Sequence, residues 1–389
     1  MKIISVVGAR PNFMKIAPFV RAIESHNQSG KGEKVEHILV HTGQHYDVRM
    51  SEAFFNALNI PDPDINLEIG SGSHAEQVGN TMIAFEKVLQ QHKPDWVVVV
   101  GDVNATLACS VTAKKENIKV CHIEAGLRSG DMAMPEEINR LVTDRLSDLL
   151  LTPDTISAKN LEAEGVPAHK MRFVGNIMID TLEQNRKTAA KITLAGIIQQ
   201  NAHEGKRLEL SGAFPIKDNA IAVLTLHRPS NVDHPEVFKN IVEFLISEVC
   251  AEMPLLWAIH PRAEKRLKEF GLWDDVCKAP NLILLRPLGY HDMLRLNMAS
   301  RIMLTDSGGL QEECTVLGTP CLTLRWNTER PVTLKEHGGA SVLVGNNIER
   351  IRKEYRIAMT EDRHPVRPEL WDGHAAERCL AALLAKRAS

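Results

Sequence analysis

The fold is decided by the segment Ile302-Met303-Leu304-Thr305-Asp306-Ser307-Gly308-Gly309-Leu310-Gln311-Glu312-Glu313. It begins as an apolar run typical of a buried strand, turns at Asp306, and continues as a helix. Because two glycines leave the first helical turn without side chains, its unpaired N–H groups can bind phosphate oxygens. The Ser307 hydroxyl can donate as well, and one of the acids can bind sugar hydroxyls. The segment predicts a site for a phosphorylated sugar or nucleotide, although a flexible turn followed by acids that complement the helix dipole fits equally well.

The same strand–turn–helix alternation extends along the whole chain. Short apolar, β-branched runs favour parallel strands that are covered on both faces, and their alternation with helices predicts two doubly wound sheets. The predicted strands span 3–7, 37–40, 96–100, 119–123, 149–151 and 171–174 in the first half, and 221–226, 255–259, 282–285, 302–304, 321–324 and 341–344 in the second.

The length of 389 residues predicts two domains, because a single core stops growing below this size. We expect residues 1–181 to form an N-terminal Rossmann-like domain and residues 182–364 to form a C-terminal one. Residues 365–389, which follow a proline-rich break, are expected to return to the first domain. The sequence therefore predicts an α/β protein whose two domains face a cleft.

Charge and cysteine usage narrow the classes of partner. A formal net charge of -3 provides no basic field for nucleic acid or anionic lipid. No apolar run reaches the length of a membrane span, and the apolar start is too short for a signal peptide. Seven scattered cysteines without C-x-x-C spacing favour reduced thiols. We therefore expect a cytoplasmic protein that binds neither nucleic acid nor membrane.

Polar side chains follow many of the predicted strands. In open α/β sheets, ligands bind outside the carboxyl ends of the strands, and a contribution from both halves favours a cleft between domains. Arg10 and Lys15 can both reach a pyrophosphate, but no G-x-G-x-x-G follows the first strand, so the dinucleotide fingerprint is absent. The strand-end residues are Arg10, Gln44, His45, Asp102 and Glu124 in the first half, and His227, His260, Asp306, Ser307 and Arg325 in the second.

Three carboxylates are candidates for proton transfer. Asp102 follows a buried strand, where it can alternatively cap the next helix. Glu124 ends another strand, and a buried acid needs a partner or a raised pKa. Glu136 begins a helix, where an acid can simply complement the dipole. If the three share a small volume, their pKa values must split, which provides both an acid and a base near neutrality.

Two histidines also end strands. His227 and His260 can be structural hydrogen-bond donors, or they can stabilise a departing phosphate opposite the carboxylates. His41 and His45 are four residues apart but fall on a strand and its loop, so a zinc pair is not expected. No other ligand cluster is present, and we predict neither a metal nor a cofactor.

Six motifs, in order along nearly the whole chain, resemble the non-hydrolysing UDP-N-acetylglucosamine 2-epimerase family. The resemblance implies a glycosyltransferase-B type fold and a cytoplasmic homodimer. It also implies interconversion of UDP-N-acetylglucosamine and UDP-N-acetylmannosamine for surface polysaccharide synthesis. The motifs are Gly8-Ala9-Arg10-Pro11, His122-Ile123-Glu124-Ala125-Gly126-Leu127-Arg128, Pro135-Glu136-Glu137-Ile138-Asn139-Arg140, Leu226-His227-Arg228, Asp306 to Glu313, and Asn327-Thr328-Glu329-Arg330-Pro331.

The resemblance also implies roles for individual residues. In the family's chemistry, UDP is eliminated to leave a 2-acetamidoglucal, and re-addition then gives the epimer. By similarity, Asp102, Glu124 and Glu136 are the acid/base candidates, and His227 stabilises the leaving diphosphate. Glu313 is expected to bind the ribose. The UDP-binding positions matched are Arg10, Lys15, Ser307, Gly308, Gly309, Glu313 and Arg330.

The chain departs from the common bacterial pattern at two places. The loop at Met132-Ala133-Met134 is short, as in relatives that act on UDP-2,3-diacetamido-glucuronate. The bacterial allosteric site is matched only in part, because Asp47, Pro229 and residues 70–73 differ from its pattern. The possible allosteric residues are Gln44, His45, Arg228 and His260. A hydrolysing epimerase, a glycosyltransferase of the same fold and a non-catalytic nucleotide-sugar sensor remain alternatives.

Overall fold

The structure is a computed structural model that describes residues 1–8, 10–30, 32–43, 62–205 and 215–386. It divides into two compact units. The first unit comprises Met1–Gln184 and Pro368–Ser389, and the second comprises Asn185–Arg367. The sequence predicts these divisions at residues 181 and 364, and the assignment of a catalytic role to one domain and UDP binding to the other stays a prediction.

The described strands of the first unit form one parallel sheet in the order β3-β2-β1-β4-β5-β6-β7. All five residues of β4 are buried, which explains why this strand is a continuous valine-rich run. Val100 of β4 pairs with Ile123 of β5, so Gly101 and Glu124 leave the sheet side by side. The strands are β1 Lys2–Val7, β2 Glu36–His41, β3 Ile65–Asn66, β4 Trp96–Val100, β5 Lys119–Ile123, β6 Leu149–Thr152 and β7 Met171–Phe173.

The described strands of the second unit form a second parallel sheet in the order β10-β9-β8-β11-β12-β13. The strands are β8 Ala222–Thr225, β9 Leu255–Ala258, β10 Leu282–Leu285, β11 Ile302–Thr305, β12 Cys321–Thr323 and β13 Ser341–Leu343. Every predicted strand is present to within one residue at either end, and among the described strands only the two-residue β3 was missed. The prediction of two doubly wound parallel sheets is confirmed.

Among the described residues, α-helices connect most of the successive strands in both units. A π-helical turn, Leu245–Val249, joins two of them. The helices are α1 Arg10–Ser29, α2 His74–His92, α3 Asn104–Lys115, α4 Pro135–Leu146, α5 Thr155–Ala163, α6 Ile177–Ala189, α7 Leu194–Asn201, α8 Pro229–Val232, α9 Pro235–Phe244, α10 Cys250–Glu252, α11 Pro261–Glu269, α12 Trp273–Lys278, α13 Tyr290–Ala299, α14 Gly308–Leu317, α15 Ile348–Thr360 and α16 Ala375–Ala385. Three 3₁₀ turns span Ala168–Lys170, Pro331–Thr333 and Lys335–His337.

The C-terminal helix α16 packs against α1 within the first unit. Asp180 of α6 accepts hydrogen bonds from the backbone N–H groups of Ala375 and Ala376 at 3.0 and 2.7 Å, so it satisfies two donors at the start of α16. The chain therefore returns to the first unit after it leaves the second.

Both sheets have the strand order of a Rossmann fold, in which the order reverses beside the first strand. The reversal lies between β1 and β4 in the first unit and between β8 and β11 in the second. Ligands of such sheets bind at this switch point, outside the carboxyl ends of the strands. The turns that follow β1, β4, β8 and β11 are therefore the expected positions of ligand-binding residues.

Three further properties of the described residues concern membrane-spanning helices, disulfides and metal-ligand clusters. Among the described helices, none is both long and apolar enough to cross a membrane. All seven cysteines are free, and six of them are buried as small core residues. Within the described residues, no group of three His, Cys, Asp or Glu side chains could hold a metal ion.

Candidate active site

Asn12 joins the two turns at the switch point of the first unit. Its Nδ2 donates to the carbonyl oxygen of Val100 at 2.8 Å, and its Oδ1 accepts from the backbone N–H of Gly8 at 3.3 Å. The side chain is 2% exposed. The turn after β1 and the end of β4 are thus held together at the place where Lys15 and Asp102 enter the site.

Glu124 is a buried carboxylate on an unusual backbone. Its φ of 73° lies in the left-handed region, which costs a residue with a side chain about 1 kcal/mol or more. The N–H groups of Glu124 and Ala125 both donate to the carbonyl oxygen of Leu151 at 3.1 Å, which holds this conformation. The residue is 3% exposed, and its Oε2 accepts a hydrogen bond from the Lys15 ammonium, on a residue 6% exposed. The partner that a buried acid needs is therefore Lys15.

Gly101 allows the end of β4 to lie against this ion pair. Its φ of 69° suits glycine, and a Cβ there would lie 3.1 Å from Lys15 Nζ and 3.5 Å from Glu124 Oε2. A side chain at this position would crowd the ion pair. The residue that follows is Asp102, so the turn after β4 brings a second carboxylate into the same region.

Asp102 is held by α4 and does not cap α3. The N-cap of α3 is Val103, which makes no side-chain capping bond, so the capping interpretation is wrong. Asp102 Oδ2 instead accepts from Arg140 Nη1 at 2.5 Å, and its backbone oxygen accepts from Asn139 Nδ2 at 2.8 Å. Arg140 is 2% exposed, whereas the Asp102 side chain is 23% exposed. Asp102 is therefore both fixed and accessible.

The two acids at the start of α4 differ in environment. Glu137 is buried, and it accepts from the backbone N–H groups of Ser129 and Gly130 and from Arg140. Burial alone would raise the pKa of Glu137, but these donors outweigh burial and lower the pKa. Glu136 is half-buried, and its carboxylate makes no hydrogen bond or ion pair with the described residues. Glu137 therefore holds Arg140 and the loop at Ser129 and Gly130 in place. The Glu136 carboxylate is left without a described partner that would compete with a substrate.

At the switch point of the second unit, Asp306 orients His227. Asp306 is fully buried, and its Oδ1 lies 2.7 Å from His227 Nδ1. Its carboxylate also accepts from the N–H of Arg228 at 2.8 Å and from Asn231 Nδ2 at 3.0 Å. Burial alone would raise the pKa of Asp306, but His227 and these donors lower it. The imidazole therefore donates through Nδ1, which leaves Nε2 for a ligand.

The residues proposed for an allosteric site divide between described and undescribed regions. His260 is the N-cap of α11, where its Nδ1 accepts from the N–H of Arg262 at 3.1 Å. Its ring centroid lies 5.6 Å from that of His227. Burial, and then the charge of His227, lower the pKa of His260. Arg228 is the N-cap of α8. Gln44 and His45 lie outside the described residues, so the allosteric site stays a prediction.

The start of α14 has the features expected of a phosphate site. Ser307 is its N-cap but makes no side-chain capping bond, so the first N–H groups are not capped by that hydroxyl. A Cβ on Gly308 would lie 2.7 Å from Arg330 Nη1 and 2.8 Å from Glu329 Oε1. A Cβ on Gly309 would meet no described atom within 4 Å. Gly308 thus permits a close internal contact, whereas Gly309 leaves open space.

Two further residues predicted to bind UDP, Arg330 and Glu313, are buried. Arg330 is 6% exposed, with Nε 2.9 Å from Glu312 Oε1 and Nη1 bonded to Glu329. Glu313 is 3% exposed, and burial raises its pKa to about 7, an effect that Tyr290 and Asn297 offset only in part. Arg10 begins α1, but its side chain is outside the description. UDP contacts by these residues stay predictions.

Comparison with known proteins identifies the family. Residues 28–384 match the sequence model of the family described as UDP-N-acetylglucosamine 2-epimerase. The chain belongs to this family. The predicted membership of the UDP-N-acetylglucosamine 2-epimerase family is thus confirmed.

Individual epimerases match over essentially their full length. The UDP-N-acetylglucosamine 2-epimerase of Methanocaldococcus jannaschii is 42% identical over 98% of this chain and 99% of its own. A crystal structure of that organism's enzyme in complex with UDP-GlcNAc and UDP superimposes with a TM-score of 0.86, covering 99% of this chain and all of that one at 40% identity. The UDP-2,3-diacetamido-2,3-dideoxy-D-glucuronate 2-epimerase of Pseudomonas aeruginosa is 35% identical over 99% of this chain and 100% of its own.

Several residues that support the epimerase site were missed from the sequence. Asp306 was placed at a strand end without a role, and Arg140 was quoted in a motif without its partner Asp102. The spacing of three residues indicates a pair between Glu137 and Arg140, because such positions share a helix face, but it gives no indication of Asp102. His122 and Asp144, treated below, gave no comparable indication, since a histidine inside a strand reveals nothing of its acceptors.

Proposed function

We propose that the protein is a non-hydrolysing 2-epimerase that interconverts UDP-N-acetylglucosamine and UDP-N-acetylmannosamine. The observation that carries this proposal is the 42% identity, over 98% of the chain, to an enzyme named for the same reaction. The paired carboxylates of the first unit and the uncapped start of α14 in the second unit support it. The protein is accordingly an isomerase.

The reaction must remove a hydrogen that is not acidic. We propose elimination followed by re-addition. The bond between C1 and the UDP oxygen breaks, and its electron pair leaves with UDP. A carboxylate takes the C2 proton, and the electrons of that C–H bond form the C1–C2 double bond of a 2-acetamidoglucal. A proton is then delivered to C2 on the opposite face, and UDP adds back to C1, which gives the epimer.

The carboxylates of the first unit are assigned to the proton transfers. General acid–base groups at fixed positions contribute typically about 10² to 10⁴ in rate. Glu124 is fixed by Lys15 and by its backbone, and Asp102 is fixed by Arg140, so both meet the requirement for position. Glu136 has no competing partner among the described residues. The assignment of each carboxylate to one face of C2 is left to experiment.

The second unit is assigned to the leaving diphosphate. Negative charge that develops on UDP is stabilised by donors already in position, because no reorganisation is then needed during bond cleavage. The N–H groups at the start of α14 and the Ser307 hydroxyl provide such donors, and Nε2 of His227 adds one when both ring nitrogens carry a proton. Asp306 is a positioning residue, since it acts on UDP only through His227.

Isotope exchange tests the proposal. UDP-N-acetylglucosamine is incubated with the protein in deuterium oxide, and C2 is followed by NMR. Deuterium at C2 together with UDP-N-acetylmannosamine is the expected result. Free N-acetylmannosamine and UDP would instead identify a hydrolysing epimerase, and absence of exchange would leave transfer or sensing.

A parallel reaction with UDP-2,3-diacetamido-glucuronate decides the substrate. The short loop at Met132 to Met134 and the 35% identity to an epimerase of that sugar make it the second candidate. Exchange at least about tenfold faster on the uronate would replace the N-acetylglucosamine assignment.

We further propose that the enzyme acts in the cytoplasm as a homodimer. Seven free cysteines, six of them buried, favour a reducing compartment, where thiols persist. Light scattering of the purified chain at micromolar concentration should give twice the mass of 43.3 kDa. A single-chain mass would contradict the dimer.

A further inference from the structure

His122 is a histidine on β5 whose two ring nitrogens are both bonded inside the first unit. The side chain is fully buried. Its Nδ1 lies 2.6 Å from Asp144 Oδ1, and its Nε2 lies 2.8 Å from the carbonyl oxygen of Gly101. The site proposed above assigns His122 no role.

The partners determine where the ring carries protons. A carbonyl oxygen can only accept, so Nε2 must be protonated. The other oxygen of Asp144 accepts from the N–H of Gly126 at 3.0 Å and from Arg128 Nη1 at 2.7 Å, as expected of a carboxylate. Nδ1 must then donate to Oδ1 as well. With both nitrogens protonated, His122 is an imidazolium.

The surrounding charges support a buried cation. Arg128 also pairs with Glu164, so two positive and two negative groups form one cluster. Burial alone would raise the pKa of Asp144, but His122 and then Arg128 outweigh burial and hold it below its ordinary value. Paired in this way, the imidazolium avoids the cost of an isolated buried charge.

His122 and Asp144 each bond to one turn of the site: His122 donates to the carbonyl oxygen of Gly101, and Asp144 accepts from the N–H of Gly126. Gly101 precedes Asp102, and Gly126 lies two residues after Glu124. The φ angles of 69° at Gly101, 73° at Glu124 and 85° at Gly126 are all left-handed. Such conformations persist at a residue with a side chain only where the surroundings fix them.

We propose that His122, with a proton on each ring nitrogen, and Asp144 form a positioning pair that holds the turns of Asp102 and Glu124 in register for proton transfer. This inference rests on the proposed epimerase function. A neutral ring has only one N–H, so it would release either the Gly101 carbonyl or the Asp144 carboxylate. One turn would then lose its attachment to β5.

The protonation state is measured directly and independently of activity. The chain is labelled with ¹⁵N-histidine, and the ring signals of His122 are identified by their loss in His122→Gln. At about pH 7, both ring nitrogens should carry a proton, because each has a hydrogen-bond acceptor. A neutral ring at about pH 7 would overturn the inference, even if the protein is an active epimerase.

Kinetics of matched variants test the positioning role. Asp144→Asn removes the carboxylate at the carboxyl end of β5. Asp148→Asn makes the same change at the amino end of β5, where Asp148 accepts from the N–H of Val120 at 2.9 Å and pairs with Lys114. Misplacement of a reacting group can cost about 10²-fold, so kcat of Asp144→Asn should fall by about that factor. Its KM, and both constants of Asp148→Asn, should stay within about threefold of the parent.

The remaining outcomes separate the two proposals. Equal kcat in both variants would refute the positioning role, and so would a proportional loss of kcat and UDP affinity in a folded Asp144→Asn, because the pair would then serve binding and turnover alike. An inactive parent protein would refute the epimerase function and with it the positioning role, while the ring-nitrogen measurement would still decide the charge of His122. If Asp144→Asn does not fold, His122→Gln takes its place in the kinetic comparison.

Discussion

One buried carboxylate, that of Asp306, binds both the ring and the backbone of His227. The contacts are 2.7 Å from Oδ1 to Nδ1 and 3.0 Å from Oδ2 to the backbone nitrogen. The residue is thereby fixed through both its ring and its backbone, although its side chain is 40% exposed. A ring that is held on one side and accessible on the other can present Nε2 to a ligand without rearrangement.

Replacement of Asp306 by Asn should separate orientation from binding. An amide cannot accept all the hydrogen bonds that the carboxylate accepts, so the His227 ring loses its fixed orientation. We expect kcat to fall at least about tenfold, while calorimetric UDP affinity changes by less than about threefold. Asp292→Asn, which alters a half-buried acid bonded to Asn201, is the control and should retain activity. A loss of the same size in both variants would argue against the orienting role.

Glu124→Gln should abolish turnover and preserve UDP binding. Glutamine can still accept from Lys15, but it cannot take a proton from C2. We expect a fall in kcat of about 10² to 10⁴, measured by deuterium incorporation at C2. Stability should also fall by about 3–5 kcal/mol, because the buried Lys15 loses its charged partner, so UDP binding by the folded variant decides the outcome. Loss of UDP binding in parallel with turnover would mean that Glu124 serves the fold and not the reaction.

Two adjacent glycines provide a matched pair at the start of α14. In Gly308→Ala, the new methyl group would lie 2.7 Å from Arg330 Nη1, so we expect a stability loss of about 1–3 kcal/mol. In Gly309→Ala, no described atom lies within 4 Å, so stability should be unchanged or slightly higher. If UDP oxygens approach Gly309, its alanine variant should nevertheless bind UDP more weakly. Normal UDP affinity in Gly309→Ala would contradict the assigned phosphate site.

The raised pKa of the buried Glu313 should make the stability of the protein depend on pH. Burial raises its pKa to about 7, above the ordinary value of 4.5, so the folded state holds this proton more tightly than the unfolded state. Its contribution to stability is therefore present below about pH 4.5 and is lost as pH rises towards about 7, by about 2–4 kcal/mol. Urea unfolding near pH 5 and pH 8 should show this loss in the parent but not in Glu313→Gln. An identical pH dependence in the two proteins would contradict a buried, proton-binding Glu313.

The strands could be predicted because their chemistry is local. A run such as Trp96–Val100 is apolar at every position, and only a strand covered on both faces buries all of it. The two-residue β3 was missed because Ile65–Asn66 is too short to show any periodicity. Element type and order thus follow from neighbouring residues alone.

The partners within the site could not be predicted, because they depend on contacts between distant segments. Lys15 and Glu124 are 109 residues apart, and they meet because α1 packs against β4, which neighbours β5 in the sheet. Glu136 and Glu137 are adjacent, and which of them is buried depends on the rotation of α4 about its axis. The sequence indicates that acids are present, but it does not indicate which cation each one meets.

The left-handed backbone at Glu124 restricts how this position can be redesigned. Asparagine, aspartate and glycine tolerate such a φ better than other residues do, so a substitution library here should retain few stable members. Aspartate would relax the backbone but shorten the reach of the carboxylate by one methylene. If the Asp variant is more stable and less active, its gain in free energy of unfolding is the stability that the parent loses by placing the longer Glu124 carboxylate in the site.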